Sequence, residues 1–418
     1  MSKIQRRILS KIQSRTSATT GSPEIKLLLC CAQARKDVEG DAQIRALLQQ
    51  EIDWAWLLGM AREHGMMQLL YWHLYDTYSE AIPKAALEEL RNFHYGNISN
   101  NLFLTGELLK LLNLFEAHAI PAVPFKGPAL TAFVYGNLAL REFVDLDILV
   151  HERDVSRARE LLISVGYRPE HQLTAAQEAA FEAAFLPYGY SREFTHRDGK
   201  SQVDLHWRIT ERRFSTPLDP ENLWGRLGQV HLGGKSILTL SPEDLLLILC
   251  VHGSKHLWRR LSLLCDVAEL IHVHKEMNWG QVMEWAATLG SERMLFLGLY
   301  LANDLLGAAL PEGVLHKVRA DPTLKVLAGQ VYERLFREAS DPSEASRFQL
   351  FHIRMKERLR DKVRFCVGTA ATITRITVAD WEVLPLPRYL YPLYYVVRLV
   401  RLSNKYTRRL LRRLPFYN

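Results

Sequence analysis

The most informative segment of the sequence is residues 144–150, in which apolar and acidic residues alternate. Strict alternation is typical of a half-buried β-strand, because successive side chains point to opposite faces of the sheet. One face of this strand would be apolar throughout, and the other would carry Asp145 and Asp147. The segment therefore predicts a strand that packs a core on one side and presents two carboxylates, about 6.6 Å apart along the strand, on the other.

Two carboxylates this close repel each other, and burial strengthens the repulsion because it raises the pKa of both groups. A divalent cation would neutralise them, and carboxylate oxygens are ligands that Mg²⁺ or Mn²⁺ prefers. A third acid, Asp204, lies on a later alternating segment and would allow two ions to bind about 3.5 to 4 Å apart. We therefore expect Asp145, Asp147 and Asp204 to form one metal site of the kind that serves phosphoryl or nucleotidyl transfer. A bare Asp-x-Asp pair also fits an exposed sheet face whose aspartates are simply hydrated.

The sequence before this strand predicts an anion site. Residues 120–125 indicate a short extended segment, and Lys126-Gly127 then precedes a short helix that begins at Pro128 and ends at Gly136. A glycine at a helix start exposes backbone N–H groups to an anion, and the helix dipole adds to the attraction. Lys126 supplies a positive charge. Lys126 and Gly127 are therefore predicted to bind phosphate oxygens of a nucleoside triphosphate (NTP).

The segment that carries Asp204 is predicted to be the second arm of a β-hairpin. Residues 188–196 and 201–209 alternate on either side of an Asp-Gly pair, which favours a tight turn. Asp204 and His206 would share one face of the second arm. His206 would then hydrogen-bond to a metal-binding carboxylate or accept a proton from the attacking hydroxyl.

The run KGPALTAFVYGNLALREFVDLDILV, residues 126–150, resembles the signature of the polymerase-beta-like nucleotidyltransferase superfamily, and more narrowly its uncharacterised bacterial nucleotidyltransferases. The resemblance implies an α+β fold: a small mixed β-sheet core flanked by N-terminal and C-terminal helical regions. It also implies an NTP substrate and two Mg²⁺ ions. Carried over to this sequence, the NTP-binding loop corresponds to Lys126 and Gly127, and the metal-binding acids correspond to Asp145, Asp147 and Asp204.

The loop departs from the superfamily at one place. That loop usually carries Gly-Ser, whereas this chain has Lys126-Gly127-Pro128 and no serine. The narrower group typically has Lys-Gly here, together with an arginine shortly before the Asp-x-Asp, which Arg141 matches. Arg141 is therefore predicted to bind a phosphate through two hydrogen bonds, and a solvated loop arginine is the alternative.

Residues 203–209 and 252–270 resemble later blocks of the same group. His252, Lys255 and His256 recur at helical spacing in the second block, so their side chains would share one helix face. We expect this face to line the cleft beside the sheet, where Lys255 would contact phosphate. An ordinary helix surface is the alternative.

Periodicity divides the 418 residues into four predicted regions: a helical N-terminal region, 1–118; the nucleotidyltransferase core, 119–235; a helical domain, 236–345; and a basic helical C-terminal region, 346–418. Residues 351–418 hold 15 Lys and Arg against 4 Asp and Glu. Such a charge run indicates either a solvated helix or a weak contact with an anionic surface, nucleic acid or membrane.

We expect a cytoplasmic protein. The apolar run at 389–397 is shorter than the roughly 20 residues that a transmembrane helix needs. The basic residues 1–17 lack the apolar core of a secretory signal.

Together these features predict a Mg²⁺-dependent nucleotidyltransferase that moves NMP from an NTP such as ATP to an acceptor by a two-metal mechanism. The acceptor remains open between a small molecule, a peptide, a protein side chain, an RNA end and a surface-polysaccharide precursor. The alternative is a non-catalytic NTP-binding or regulatory module that retains the fold, which the missing serine favours. The three clustered acids oppose this alternative, because without a metal they only repel one another.

Overall fold

The computed structural model describes residues 22–170, 189–211, 220–336, 344–374 and 393–411, together with residues 214, 380, 384, 386 and 390. The fold is α+β, with a small mixed β-sheet among helices, as the sequence predicts. The basic residues 1–17 lie outside the described residues. So do residues 389, 391 and 392 of the apolar run at 389–397. Among the described residues, no helix combines the length and the apolar character that crossing a membrane requires.

From residue 22 onward, where the described residues begin, five α-helices precede the sheet: α1 (Pro23–Cys30), α2 (Val38–Leu47), α3 (Trp54–His64), α4 (Met67–Tyr78) and α5 (Lys84–Ala117). Local signals set several of their ends. The Asp53 carboxylate accepts a hydrogen bond from the Trp56 N–H at the start of α3, and Gly65 ends that helix in the left-handed conformation. The helical N-terminal region is therefore present, and its last helix, of 34 residues, reaches the sheet.

The main sheet contains β1 (Ala122–Pro124), β2 (Leu146–Val150), β3 (Tyr167–Pro169), β4 (Ser191–His196) and β5 (Gln202–His206), in the order β1-β2-β5-β4-β3. Only the β2–β5 pair is parallel within this sheet. β4 and β5 pair antiparallel around Asp198-Gly199, which confirms the predicted hairpin. In the part of the chain that the structure describes, the α-helices between these strands are α6 (Gly127–Leu130), which a π-helical turn extends to Tyr135, and α7 (Val155–Ser164).

The strand that carries the Asp-x-Asp pair is shorter than the sequence predicts. β2 begins at Leu146, and Val144 is 74% exposed. The first residue of β2 coincides with the start of the pairing with β5, Leu146 opposite Val203, which lies two residues before Ile148, the partner of Pro124 in β1. Asp147 is therefore inside the strand, whereas Asp145 lies just before it.

The second half of the chain is mainly helical. It contains α8 (Pro220–Trp224), a hairpin of β6 (Gly228–Leu232) and β7 (Lys235–Thr239), and then α9 (Pro242–Lys255), α10 (Leu261–Val273), α11 (Trp279–Leu289), α12 (Glu292–Leu306), α13 (Glu312–Ala320), α14 (Pro322–Phe336), α15 (Glu344–Met355), α16 (Leu359–Thr374) and α17 (Tyr394–Leu411). The predicted start of α9 is confirmed, because the Ser241 hydroxyl caps the N–H of Asp244.

Two hydrophobic cores hold these elements together. One joins the sheet, α5, α7 and the β6–β7 hairpin. The other joins α1–α4 to α9–α15, so the N-terminal region and the later helical region share one core. The C-terminal helices contact the end of the sheet domain through Phe214, whose ring centroid lies 5.0 Å from that of His352 and 5.7 Å from that of Phe365.

Candidate active site

Two carboxylates meet where β2 and β5 run side by side. Asp147 and Asp204 are direct partners in the register of this parallel pair. Between them lies Nε2 of His206, 3.0 Å from Oδ1 of Asp147 and 3.1 Å from Oδ2 of Asp204. Ligand atoms of the three side chains lie within 4.8 Å of one another. The parallel pairing thus converts two distant segments of sequence into one compact cluster.

The charges in this cluster are matched. Burial disfavours the imidazolium form of His206, but the carboxylates of Asp204 and Asp147 outweigh burial and raise its pKa to about 9. Burial likewise favours the neutral form of both acids, yet Lys126 and His206 hold the pKa of Asp147 far below its usual value, and His206 lowers that of Asp204. Both carboxylates are therefore ionised at neutral pH.

Lys126 supplies the second positive charge. Its Nζ lies 2.9 Å from Oδ1 of Asp147. Burial lowers its pKa, but the neighbouring carboxylates prevail, so the pKa lies above the ordinary value and the ammonium group stays charged. Two cations thus neutralise two carboxylates at the floor of the site.

Asp145 has a different environment from Asp147. It lies just outside the strand and is not one of the three residues whose ligand atoms cluster. Burial and the charge of Asp147 raise its pKa, so it is the acid in the pair that is more easily protonated. The structure nevertheless brings Asp145 to the same cavity as Asp147 and Asp204.

This cavity has a volume of about 230 Å³ and lies between the sheet and α9. Its lining consists of Phe125, Lys126, Asp145, Asp147, Tyr190, Glu193, Asp204, His206, Ile209 and Thr210 on one side, and Ile248, Val251, His252, Lys255 and His256 on α9. The predicted α9 face of two histidines and a lysine thus lies opposite the carboxylates.

The α9 wall carries one cation and two neutral imidazoles. Nζ of Lys255 lies 2.9 Å from the Tyr190 hydroxyl and 4.3 Å from the centre of its ring. Burial, together with the charges of Lys126 and Lys255, holds the pKa of His252 well below its usual value and lowers that of His256 to about 4. Both histidines therefore accept protons weakly and remain hydrogen-bonding groups at neutral pH.

Gly127 and Arg141 are placed differently from the predicted phosphate contacts. Gly127 is buried, has φ of 53°, and leaves room for the Asp145 carbonyl oxygen, which a Cβ at this position would approach to 3.0 Å. Neither Gly127 nor Arg141 is among the residues that line the cavity. Gly127 instead permits the close approach of the loop to the Asp145 backbone.

Arg141 forms a buried ion pair with Asp266 of α10. Its Nε and Nη2 lie 2.8 and 3.0 Å from the two carboxylate oxygens, and the Tyr135 hydroxyl donates to the same carboxylate at 2.9 Å. Burial disfavours the charged guanidinium, but the Asp266 carboxylate outweighs it and raises the pKa of Arg141 further. The arginine thus fastens the segment before β2 to the helical region.

The donor set fits a hard divalent cation. One carboxylate oxygen, Oδ1 of Asp204, is buried and has no hydrogen-bond partner among the described residues. Leaving a buried charged oxygen unpaired is costly, so this position calls for a cation or an ordered water. Two or three carboxylates with one nearby imidazole suit Mg²⁺ or Mn²⁺.

A family model described as uncharacterised nucleotidyltransferase matches residues 50–307, more than half of the chain. The chain belongs to this family. Nucleotidyl transfer is therefore its general role, and the resemblance inferred from residues 126–150 is confirmed. The matched range contains the whole main sheet and the α9 wall of the cavity. No curated protein and no solved structure matches the chain.

Tyr190 and Glu193 are among the lining residues of this nucleotidyltransferase that were not predicted as site residues. Tyr190 contacts Lys255 across the cavity, and Glu193 is the register partner of Asp204 in the β4–β5 hairpin. Burial and the charge of Asp204 raise the pKa of Glu193. The hairpin signal itself could have found Glu193, because residues opposite each other across the turn share a face with Asp204.

The Arg141–Asp266 pair leads to a first prediction. We expect Arg141→Met to lower the free energy of unfolding by about 3 kcal/mol, because it leaves the buried Asp266 carboxylate without its cation. Chemical denaturation measures this loss. The matched control is Arg45→Met, which removes an exposed pair with Asp41 at 3.3 Å and should cost no more than about 0.5 kcal/mol.

The same variant separates a structural role from phosphate binding. A structural Arg141 leaves the NTP affinity of the folded variant nearly unchanged. A variant of normal stability with at least about tenfold weaker NTP binding would contradict this assignment and restore the phosphate contact that the sequence predicts.

Proposed function

We propose that the chain is a nucleotidyltransferase that uses Mg²⁺ or Mn²⁺ to transfer NMP from an NTP to an acceptor by a two-metal mechanism. The observation that carries this proposal is the direct pairing of Asp147 with Asp204 beside a buried oxygen, Oδ1 of Asp204, that has no hydrogen-bond partner among the described residues. Lys126 and His206 balance the charge of the two carboxylates but leave this oxygen without a partner, and a divalent cation would supply one.

Asp147 and Asp204 would hold the metal, and Asp145 would complete the carboxylate set from the end of β2. When bound, divalent ions supply charge neutralisation at phosphate oxygens and a lower pKa for an attacking hydroxyl. His206 positions the two aspartates, since one ring nitrogen contacts both carboxylates. Its role is therefore to fix the orientation of the ligands.

Lys126 and Lys255 are the residues that would bind the phosphates of the NTP. They approach the cavity from opposite walls, Lys126 from the loop after β1 and Lys255 from α9. Lys126 is bound to Asp147, so it can exchange this carboxylate for a phosphate oxygen once a metal neutralises the acid. Gly127 and Arg141 support this arrangement from outside the cavity.

His252 and His256 are the residues that would contact the acceptor. Both imidazoles are neutral at pH 7, so each offers a lone pair to an acceptor hydroxyl or amine. Ile248 and Val251 on the same helix add apolar surface next to them. This wall would orient the acceptor toward the NTP.

The experiment that tests the proposal is a thermal-shift series with ATP, GTP, CTP and UTP, each with Mg²⁺, with Mn²⁺ and with a chelator. A ligand that binds only the native state at about 100 times its Kd stabilises it by about 2.7 kcal/mol. We expect one or more NTPs to raise the melting temperature by several degrees, and only in the presence of a divalent ion.

Asp204→Asn should remove this shift, because it replaces the unpartnered carboxylate oxygen by a neutral group of the same shape. The matched control is Asp198→Asn in the exposed turn of the same hairpin, which should leave the shift intact. A shift that persists with the chelator, or that survives Asp204→Asn, would contradict the metal-dependent site. Metal-dependent binding without release of pyrophosphate would favour a non-catalytic NTP-binding module.

A further inference from the structure

The C-terminal helix α17 exposes apolar side chains. Tyr395, Val396, Leu399 and Val400 are each between 55% and 58% exposed. Their spacing of one, four and five residues places them in one continuous stripe along the helix. Apolar side chains at this spacing normally pack against a core. Their exposure therefore indicates a surface that binds another molecule or a membrane.

Several contacts that hold α17 to the protein are polar. Arg398 and Arg401 both pair with the buried Asp380, at 3.4 and 2.6 Å. The buried Tyr394 donates its hydroxyl to the Leu384 carbonyl at 2.8 Å. The helix is thus fixed through its polar side, and this leaves the apolar stripe outward.

The neighbouring helix α16 has the same property. Leu359, Val363 and Val367 are 76%, 52% and 62% exposed and recur every four residues. α16 and α17 contact each other, so the two helices that carry the apolar stripes are neighbours. We call the seven exposed apolar residues, Leu359, Val363 and Val367 of α16 and Tyr395, Val396, Leu399 and Val400 of α17, the apolar stripes.

Charge identifies the kind of partner. Residues 351–418 carry 15 Lys and Arg against 4 Asp and Glu, and on α16 the side chains of Arg360 and Arg364 are 61% and 45% exposed. This charge repels a second copy of the same region and attracts an anionic surface. Nucleic acid would satisfy the basic groups, but its phosphates gain nothing from leucine, valine and tyrosine side chains. An anionic bilayer satisfies both, because acidic headgroups lie above an apolar interior.

We propose that α16 and α17 form a surface that docks on an anionic lipid bilayer. The apolar stripes enter the boundary between headgroups and acyl chains, and the exposed basic side chains of α16, Arg360 and Arg364, contact acidic headgroups. Docking does not depend on the proposed nucleotidyl transfer, so binding to vesicles can be measured without an NTP or an acceptor.

The experiment is co-sedimentation of the full chain with vesicles. One set consists of phosphatidylcholine with about 30 mol% phosphatidylglycerol, and the other of phosphatidylcholine alone. We expect partitioning into the anionic vesicles to be at least about tenfold stronger, and to weaken as salt rises from about 0.1 M, because the headgroup contacts are screened.

Leu399→Gln/Val400→Gln should reduce this partitioning at least about tenfold, because both side chains lose their apolar contact with the bilayer. The positions are exposed, so thermal melting should be unchanged. The matched control is Val326→Gln on α14, where the valine is 53% exposed but lies outside the surface, and it should bind vesicles as the native chain does.

Three results would overturn the proposal. The first is equal vesicle binding by the double variant, or no vesicle binding by the native chain. The second is tight binding of a labelled oligonucleotide together with no vesicle binding, which would assign the surface to nucleic acid. The third is a dimer, seen by light scattering, that the double variant converts to a monomer.

Discussion

Asp147→Asn is expected to lower nucleotidyl transfer by about 10³-fold, which corresponds to about 4 kcal/mol of transition-state stabilisation. Asp147 is the most central group of the cluster, because Lys126 and His206 both bind its Oδ1 and Asp204 is its strand partner. The substitution removes the negative charge that these groups share. Release of pyrophosphate from an NTP measures transfer, and Mn²⁺ binding followed by electron paramagnetic resonance measures the metal site without any acceptor.

Asp147→Asn also affects stability, so a second variant is needed to separate the two effects. The substitution leaves Lys126 and His206 as buried cations without their shared carboxylate, which should cost about 3 kcal/mol. Lys126→Met/Asp147→Asn removes one of those cations and should regain much of the lost stability. It should not regain Mn²⁺ binding or transfer.

The comparison of these two variants decides the role of Asp147. If the double variant melts close to the native chain and binds Mn²⁺ normally, Asp147 is a structural ion-pair partner and the metal assignment is wrong. If it melts normally and binds no Mn²⁺, the loss belongs to the carboxylate itself.

The sequence predicts the parts of this site better than their arrangement. Alternation of apolar and acidic residues is a local signal, so it identifies the strand, the hairpin and the acids that they carry. The adjacency of Asp147 and Asp204 is not local, since it depends on the parallel pairing of β2 with β5 across more than fifty residues of chain. The resemblance to known nucleotidyltransferases provided that step.

Two differences between sequence and structure have the same physical origin. Asp145 falls outside the strand because the pairing of β2 with β5 begins at Leu146, and the end of a strand is set by its partners. Arg141 pairs with Asp266, which is 125 residues away, so no local pattern could reveal that its charge is neutralised. Sequence periodicity describes one element at a time, whereas these positions depend on contacts between elements.

The end of α9 depends on one buried side chain, Trp258. Its side chain is fully buried, and its backbone has φ of 53°. The indole ring lies beside two glycines, Gly253 on α9 and Gly298 on α12. A Cβ at Gly253 would overlap the indole ring, and one at Gly298 would approach it to 3.1 Å. Trp258 therefore fixes the distance between α9 and α12, and with it the wall that carries His252 and Lys255.

Trp258→Ala is expected to lower the free energy of unfolding by about 3 to 5 kcal/mol, since it removes a large buried ring and leaves a cavity. Trp258→Phe should cost far less, because it keeps much of the ring and removes an indole N–H that has no hydrogen-bond partner among the described residues. The control is Trp56→Ala on α3, where the ring is half-buried and the loss should be smaller. Chemical denaturation measures all three.

Gly253→Ala tests the close contact from the other side. Alanine in a helix interior gains about 1 kcal/mol over glycine, whereas overpacking against the Trp258 ring costs about 1 to 3 kcal/mol, so we expect a net loss of stability. The combination Gly253→Ala/Trp258→Phe removes part of the overlap and should be less destabilised than the sum of the single variants. Additive losses would show that the Gly253 and Trp258 positions do not pack against each other. In that case Trp258 would not determine where α9 presents His252 and Lys255 to the cavity.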